Sequence, residues 1–193
     1  MVLEALYEAC GASVHQAILD NRLIGVSRAF ESVATLRVRN RILSRLHAEW
    51  HLWRSARMGD TVLCLHSLPP LLPLKARVVV LMQNSLLLDR GRLGAFPLTT
   101  RLRILIERLW GTCLQTRCSK YVVQTPSMAA ALRAWLSNPI PIVVLPFAPG
   151  GIHEGNQPSD SAPKRFDFIY VASGEAHKNH LNLLHAWRLM ADA

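Results

Sequence analysis

The chain has 193 residues, half of which are hydrophobic, and a formal net charge of +9. This composition excludes an intrinsically disordered protein, and the length fits one globular domain or one domain and part of another. Residues 1–147 contain 18 Lys and Arg against 8 Asp and Glu, whereas residues 148–193 contain 4 and 5. The basic part favours an anionic partner such as a phosphorylated ligand or an acidic membrane surface. No recognised nucleic-acid-binding module is present, so we expect no nucleic acid partner.

The N-terminus and the cysteines favour a cytoplasmic protein. Glu4 and Glu8 stand where a secretory signal would have a basic segment and an apolar core, and no apolar run reaches ~18 residues. We interpret the four cysteines as reduced structural residues, because none forms a C-x-x-C pair: Cys10, Cys64, Cys113 and Cys118. We expect a cytoplasmic location, at the inner face of the membrane if the chain binds lipid.

Helix and strand patterns alternate along the first part of the chain. A helical pattern at 2–10 precedes weak strand patterns at 14–19 and 33–38. The pattern at 41–57 predicts an amphipathic helix. Its apolar face, predicted to be buried, comprises Ile42, Leu46, Trp50 and Trp53, and its basic face comprises Arg41, Arg45, Arg54 and Arg57.

The middle of the chain continues this alternation. Apolar runs at 61–65 and 76–82 predict strands that are covered on both faces. A helix is predicted over 100–115, with Leu102, Leu105, Ile106, Leu109 and Trp110 directed inward. Cys113 and Cys118, near the end of this helix, are expected to pack.

The last elements complete the predicted fold. A strand at 121–124 precedes a helix that Thr125 caps and that begins with Pro126, and a strand follows at 141–146. The alternation predicts an α/β fold, a Rossmann-like parallel sheet with helices on both faces. We predict this domain at 1–147 and a Gly-, Pro- and Ser-rich linker at 148–165. A strand and a helix at 166–193 begin a second Rossmann-like domain.

Polar side chains follow three of the predicted strands. They come in pairs, His66 and Ser67, Gln83 and Asn84, and Gln124 and Thr125. Because ligands bind outside the carboxyl ends of parallel strands, this pattern favours a cleft for a polar ligand. Strand ends are often polar without binding anything, and that interpretation stays open.

The segment "FIYVASGEAHKNHLNLLHAW" has the form of a strand, a small-residue turn and a helix. Ser173 and Gly174 form the turn, and Lys178 and Asn179 lie at the predicted start of the helix. A helix N-terminus with an added positive charge suits a diphosphate, although an ordinary strand–loop–helix with a solvated lysine fits as well. We expect no metal site, since the three histidines of this segment do not share one helical face.

Three segments, "VVVLMQN", "KYVVQTPSMAAAL" and "FIYVASGEAHKNHLNLLHAW", resemble glycosyltransferases of the GT-B fold, in the family 4 group. Lys178 falls where that family places a lysine on the donor diphosphate, and Thr125 falls at its helix cap. Ser173 stands where many members carry an arginine, and Asn84 stands where many carry a histidine. Both replacements keep hydrogen bonding and lose charge or acid–base capacity.

The resemblance implies retaining transfer of a sugar from a nucleotide-diphosphate sugar, without a cofactor or essential metal, to a glycan or lipid-linked acceptor. Lys178, Ser173, Gly174 and Asn179 would bind the donor diphosphate. The acceptor side of the cleft would comprise His66, Gln83, Asn84, Gln124 and Thr125. The family's E-x7-E motif and its first strand with a Gly-rich loop are not found in residues 1–193, so we expect a fragment with negligible activity alone.

Two other functions stay open. The first is a non-catalytic module that binds an anionic membrane surface or partner through Arg45, Arg54 and Arg57 of helix 41–57, although a merely solvated basic face gives the same pattern. The second is an unrelated nucleotide-binding α/β domain, which would need a phosphate loop after an early strand, and we find no such loop.

Overall fold

The computed structural model describes residues 10, 13–23, 33–39, 41–89, 91, 93–94, 96–146, 170 and 180–191. The strands are β1 (Gln16–Asp20), β2 (Ala34–Val38), β3 (Thr61–Cys64), β4 (Arg77–Leu81), β5 (Lys120–Val123) and β6 (Ile142–Val144). The helices are α1 (Ile42–Ser55), α2 (Ser85–Leu88), α3 (Leu98–Leu114), α4 (Pro126–Trp135) and α5 (His180–Ala191), with a 3-10 turn at Gln115–Arg117.

The strands form two parallel sheets, β1–β2 and β3–β4–β5–β6, and the second follows the chain order. Valines and other β-branched residues dominate β4 and β6, as is typical of β-strands. Helices flank the sheets, so the predicted α/β, Rossmann-like class is confirmed. The weak strand patterns at 14–19 and 33–38 correspond to β1 and β2, which pair with each other.

Alternate residues of a strand point to opposite faces, and the main buried cluster lies on one face of the four-stranded sheet. Val78, Val80, Tyr121 and Val123 are at most 2% exposed and belong to one buried cluster with side chains of α2 and α4. On the alternate positions, Leu63 remains 42% exposed. The prediction that β3 is covered on both faces is therefore wrong, since only one of its faces meets the cluster.

Helix α4 begins as its sequence predicts. The hydroxyl of Thr125 accepts a hydrogen bond from the backbone N–H of Met128 (3.2 Å), and Pro126 occupies the first turn, where its missing N–H needs no partner. Ala129 and Leu132, three residues apart on one side of the helix, are fully buried in the core. The predicted start of the helix is therefore confirmed.

Helix α3 packs with the opposite side from the one predicted. The side chains of Leu102, Leu105, Ile106 and Leu109 are all more than half exposed, whereas Ile104 and Gly111 are buried. A Cβ atom on Gly111 would lie 3.2 Å from the ring of Trp135, so the glycine allows α3 to approach α4 closely. Trp110, predicted to be inward, is half-buried, and its indole N–H donates to the carbonyl of Pro69 (2.9 Å).

Helix α1 shows the same inversion. Its predicted inner residues Ile42, Leu46, Trp50 and Trp53 are exposed, and the buried side contains Ala48 and Glu49. The reason is a set of polar contacts along that side. His51 and Ser55 hydrogen-bond to Gln16 of β1 (2.9 and 2.8 Å), and the Glu49 carboxylate accepts from the N–H of Leu71 (2.9 Å).

The loop after β3 is buried between these two helices. Ser67 and Leu68 are buried, and Pro69 and Pro70 are among the least exposed residues of the chain. The loop is held by Trp110 and by Arg117, whose guanidinium donates to the carbonyls of Pro70 and Leu71. This loop, residues 67–71, is part of the connection between the parallel strands β3 and β4, which contains no helix. Side chains of α1, α3 and the 3-10 turn hold the loop in place.

Several predictions lie outside the described residues: the helix at 2–10 apart from Cys10, the linker at 148–165, and the strand that follows it. All four cysteines are free; Cys64 and Cys118 are buried as predicted, but Cys113 is exposed and does not pack. Among the described residues, no helix combines the length and hydropathy needed to cross a bilayer.

Candidate functional site at the carboxyl edge of the sheet

The parallel register brings the three predicted polar pairs to one edge of the sheet. Cys64 of β3 lies opposite Val80 of β4, and Leu81 of β4 lies opposite Val122 of β5. The residues that follow these strands therefore leave the sheet at the same edge, the carboxyl edge. Ligands of open parallel sheets bind at this edge, where loop amides and helix N-termini converge.

Ser67 ties the ends of β3 and β4 together at this edge. Its hydroxyl oxygen accepts hydrogen bonds from the backbone N–H groups of Gln83 (2.9 Å) and Asn84 (3.2 Å). Its φ angle is +66°, in the left-handed region that a serine adopts only at an energetic cost, and the residue is 4% exposed. Strained backbone of this kind concentrates at ligand sites. Sequence reasoning gave Ser67 no more weight than His66, because a left-handed serine has no sequence signature.

Asn84 and Thr125 have structural roles as helix caps. The side-chain oxygen of Asn84 accepts from the N–H of Leu86 (3.1 Å) at the start of α2, as Thr125 does at the start of α4. Each cap fixes the position of its side chain and orients a helix N-terminus at the carboxyl edge. Gln83 is exposed and Gln124 is half-buried. The edge thus presents amide and hydroxyl groups rather than carboxylates, which suits a neutral, hydroxyl-rich or anionic ligand.

His66 occupies the same edge with a perturbed acid–base character. The protein atoms packed around its ring and the nearby Arg45 guanidinium lower the pKa of His66 to about 4. The residue nevertheless remains exposed, and water that reaches the ring screens part of this effect. A neutral imidazole at pH 7 can both donate and accept a hydrogen bond, as a bound sugar hydroxyl requires.

The predicted donor-side residues, Ser173, Gly174, Lys178 and Asn179, lie outside the described residues. Helix α5 is described from His180 onward, and the His180 ring makes an edge-on contact with Tyr170 (5.3 Å between centroids). The assignment of a diphosphate site to residues 173–179 therefore rests on the sequence alone.

A basic cavity of about 410 Å³ lies between the end of β2 and the start of α1. Its lining residues are Arg37, Val38, Arg39, Leu43, Ser44 and His47. Arg41, which precedes α1, provides no side-chain cap for the first turn. Sequence reasoning missed this cavity. A signal was present, because the basic run "RVRNR" lies at the end of β2, just as a polar pair follows each of β3, β4 and β5.

The basic residues predicted to contact a membrane lie on and just after α1, and all are exposed. The Arg45 guanidinium lies over the Trp110 ring, 4.9 Å from its centroid, and that of Arg54 lies 5.1 Å from the Trp50 ring. The backbone N–H of Arg57 donates to the carboxylate of Asp60 (2.7 Å). The predicted basic face is confirmed as exposed, but it shares that exposure with the large apolar side chains of α1.

Within the described part of the chain, no three or more His, Cys, Asp or Glu side chains come together as a metal site would need. Burial raises the pKa of the Cys64 thiol to about 12 and also raises that of Cys118, whose thiol contacts the Tyr121 hydroxyl (3.3 Å). Both thiols stay protonated at pH 7, so neither acts as a nucleophile.

No protein-family model, curated protein or solved structure matches this chain. The carboxyl edge and the basic surfaces are therefore the features on which a functional assignment depends.

Proposed function

We propose that residues 1–147 form the acceptor-side domain of a retaining glycosyltransferase and that residues 166–193 begin its nucleotide-sugar-binding domain. The observation that carries the proposal is the carboxyl edge. Three parallel strands end there in hydrogen-bonding pairs, and the strained, buried Ser67 joins two of them. A site that presents fixed amide and hydroxyl groups binds polyhydroxylated ligands, because such groups match sugar hydroxyls without the desolvation cost of a buried charge.

The acceptor, a glycan or a lipid-linked sugar, would bind to His66, Gln83, Asn84, Gln124 and Thr125. The donor diphosphate would bind to Lys178 and to the N–H groups near Asn179, with Ser173 and Gly174 in the preceding turn. As the bond between the sugar and the diphosphate breaks, negative charge accumulates on the leaving phosphate. Lys178 would stabilise this charge electrostatically. We assign no general base.

The donor side is tested by the affinity of the 193-residue chain for uridine, guanosine, adenosine and cytidine diphosphates, measured by titration calorimetry. Lys178→Gln removes a charge-assisted contact, so we expect about a tenfold or greater loss of affinity for the nucleotide that binds. Lys75→Gln is the matched control, since Lys75 is an exposed lysine that lies 103 positions earlier in the sequence, and it should leave affinity unchanged.

Two outcomes of this titration would contradict the proposal. The first is that no diphosphate binds. The second is that Arg37→Gln combined with Arg39→Gln abolishes binding while Lys178→Gln does not, because the nucleotide would then occupy the basic cavity beside α1. The acceptor side is tested independently by glycan-induced amide shifts in NMR spectra. These should involve Gln83, Asn84 and Gln124, and Ser67→Ala should weaken them.

The resemblance also predicts the catalytic behaviour of the chain by itself. The family's E-x7-E motif, which holds the nucleotide ribose and the sugar, is not found in residues 1–193. We therefore expect negligible turnover of any nucleotide-sugar by these residues alone, measured as nucleoside diphosphate release. Sustained sugar transfer to an acceptor by the 193-residue chain would contradict the expectation that these residues lack part of the donor site.

A further inference from the structure

Two helices expose large apolar side chains, which include most of those that their sequence patterns predict to be buried. In α1, Ile42, Leu43, Leu46, Trp50 and Trp53 are between 46 and 80% exposed. In α3, Leu98, Leu102, Leu105, Ile106 and Leu109 are between 52 and 78% exposed. We name these side chains, together with Arg45, Arg54 and Arg57, the α1–α3 surface. Clustered exposure of this extent marks an interaction surface, whereas a single exposed leucine does not.

The two helices that carry these stripes contact each other in the fold. The Arg45 guanidinium of α1 lies over the Trp110 ring of α3, with 4.9 Å between its central carbon and the ring centroid. Arg45 directly precedes Leu46, and Trp110 directly follows Leu109. This stacked contact therefore brings α1 and α3 together next to their apolar stripes.

The charge of this surface determines which partner it fits. Residues 41–57 carry four arginines and one acidic residue, Glu49, which is 8% exposed and hydrogen-bonded to Leu71. A second copy of the chain would bring the same positive charge against itself, which disfavours self-association. An anionic partner is favoured, and it must also accept aliphatic and indole side chains.

We propose that the α1–α3 surface docks the protein onto an anionic lipid bilayer. Leucine and isoleucine side chains enter the boundary between headgroups and acyl chains, tryptophan rings lie at headgroup level, and arginines contact lipid phosphates. The stacking of Arg54 on Trp50 (5.1 Å) places one cation beside one such ring. This surface extends the membrane role considered for helix 41–57 to α3, and it does not depend on the proposed sugar transfer.

The experiment measures co-flotation of the 193-residue chain with vesicles of phosphatidylcholine alone or with a quarter of phosphatidylglycerol. We expect binding to the anionic vesicles, weakened by salt. The combined variant Arg45→Gln, Arg54→Gln and Arg57→Gln should weaken binding about 100-fold, since each cation near the surface contributes about fivefold. The matched control lowers the net charge equally at three exposed sites, Lys75→Gln, Lys120→Gln and Arg133→Gln, and should retain binding.

The apolar side is tested by combining Leu102→Gln, Leu105→Gln and Ile106→Gln. These side chains are already exposed, so circular dichroism should show an unchanged fold while vesicle binding falls below detection. The α5 variant Leu181→Gln and Leu184→Gln should bind as the wild type does. Three results would overturn the proposal. The first is equal binding to neutral and anionic vesicles, and the second is loss of vesicle binding in the charge control or in the α5 variant. The third is a dimer, detected by light scattering, that the α3 variant abolishes.

Discussion

Helices α4 and α3 lie against each other, and their apolar residues are distributed in opposite ways. In α4 the apolar residues Ala129 and Leu132 are fully buried. In α3 the stripe with the strongest pattern is exposed, and the helix packs through Ile104 and the small Gly111. An apolar stripe therefore indicates that a helix packs against an apolar partner, but it does not indicate that this partner is the core of the same domain.

The strongest test of this comparison uses one leucine from each helix. Leu132→Ala in α4 removes a fully buried side chain and leaves a cavity, so we expect the free energy of unfolding to fall by about 2–5 kcal/mol. Leu105→Ala in α3, where the side chain is 52% exposed, should change it by only about 0.5 kcal/mol. Urea denaturation measures both. A comparable loss for the two variants would mean that the α3 stripe is buried in solution.

A second test targets the contact between the two helices. Gly111→Leu inserts a side chain where even a Cβ atom would lie 3.2 Å from the Trp135 ring. We expect this overpacking to lower the free energy of unfolding by about 1–3 kcal/mol, measured by thermal or urea denaturation. Thr112→Leu adds a similar side chain at the adjacent, exposed position and should be nearly neutral. If Gly111→Leu were equally neutral, α3 would not pack through this side.

The smallest expected effect concerns the polar side of α1. Burial raises the pKa of Glu49, and the hydrogen bond from Leu71 and the charges of Arg45 and Arg117 offset this only in part. The folded protein then keeps the Glu49 proton to a higher pH than the unfolded chain does. The contribution of Glu49 to stability is therefore present below pH 4.5, its ordinary pKa, and is lost as pH rises through the folded-state pKa.

Glu49→Gln removes this titration while keeping an oxygen for the Leu71 N–H. We expect the free energy of unfolding of the variant, relative to the wild type, to increase steadily as pH rises from 4.5. His66, whose pKa is lowered to about 4, makes stability rise with pH above that value, but it does so in both proteins and cancels in the difference. A difference that stays constant from pH 4 to pH 7 would show that Glu49 is not buried against the loop.

The order of elements and the location of the candidate site could be predicted from sequence. Short valine-rich runs such as that of β4, separated by capped helices, leave few alternatives to a parallel α/β fold. The polar pairs after β3, β4 and β5 then fall on one edge, because the register of parallel strands requires it.

The faces of α1 and α3 could not be predicted in the same way. Helix α3 has apolar residues on more than one side, and its packing depends on Gly111 meeting Trp135, a contact across 24 positions of the chain. Helix α1 is oriented by Gln16 and by Glu49, whose contacts span between 22 and 39 positions of the chain. For the same reason the hydroxyl of Ser67 and the basic cavity at the end of β2 emerge only from the fold.

The hydrogen bond from Leu71 to Glu49 makes a single amide proton a reporter of helix docking. In deuterated water this proton exchanges only when α1 separates from the loop at 67–71, because the carboxylate that protects it belongs to α1. Its exchange rate gives the free energy of that local opening separately from global unfolding. Vesicles that hold α1 in place, or that pull it away from the loop, would change this one rate in opposite directions.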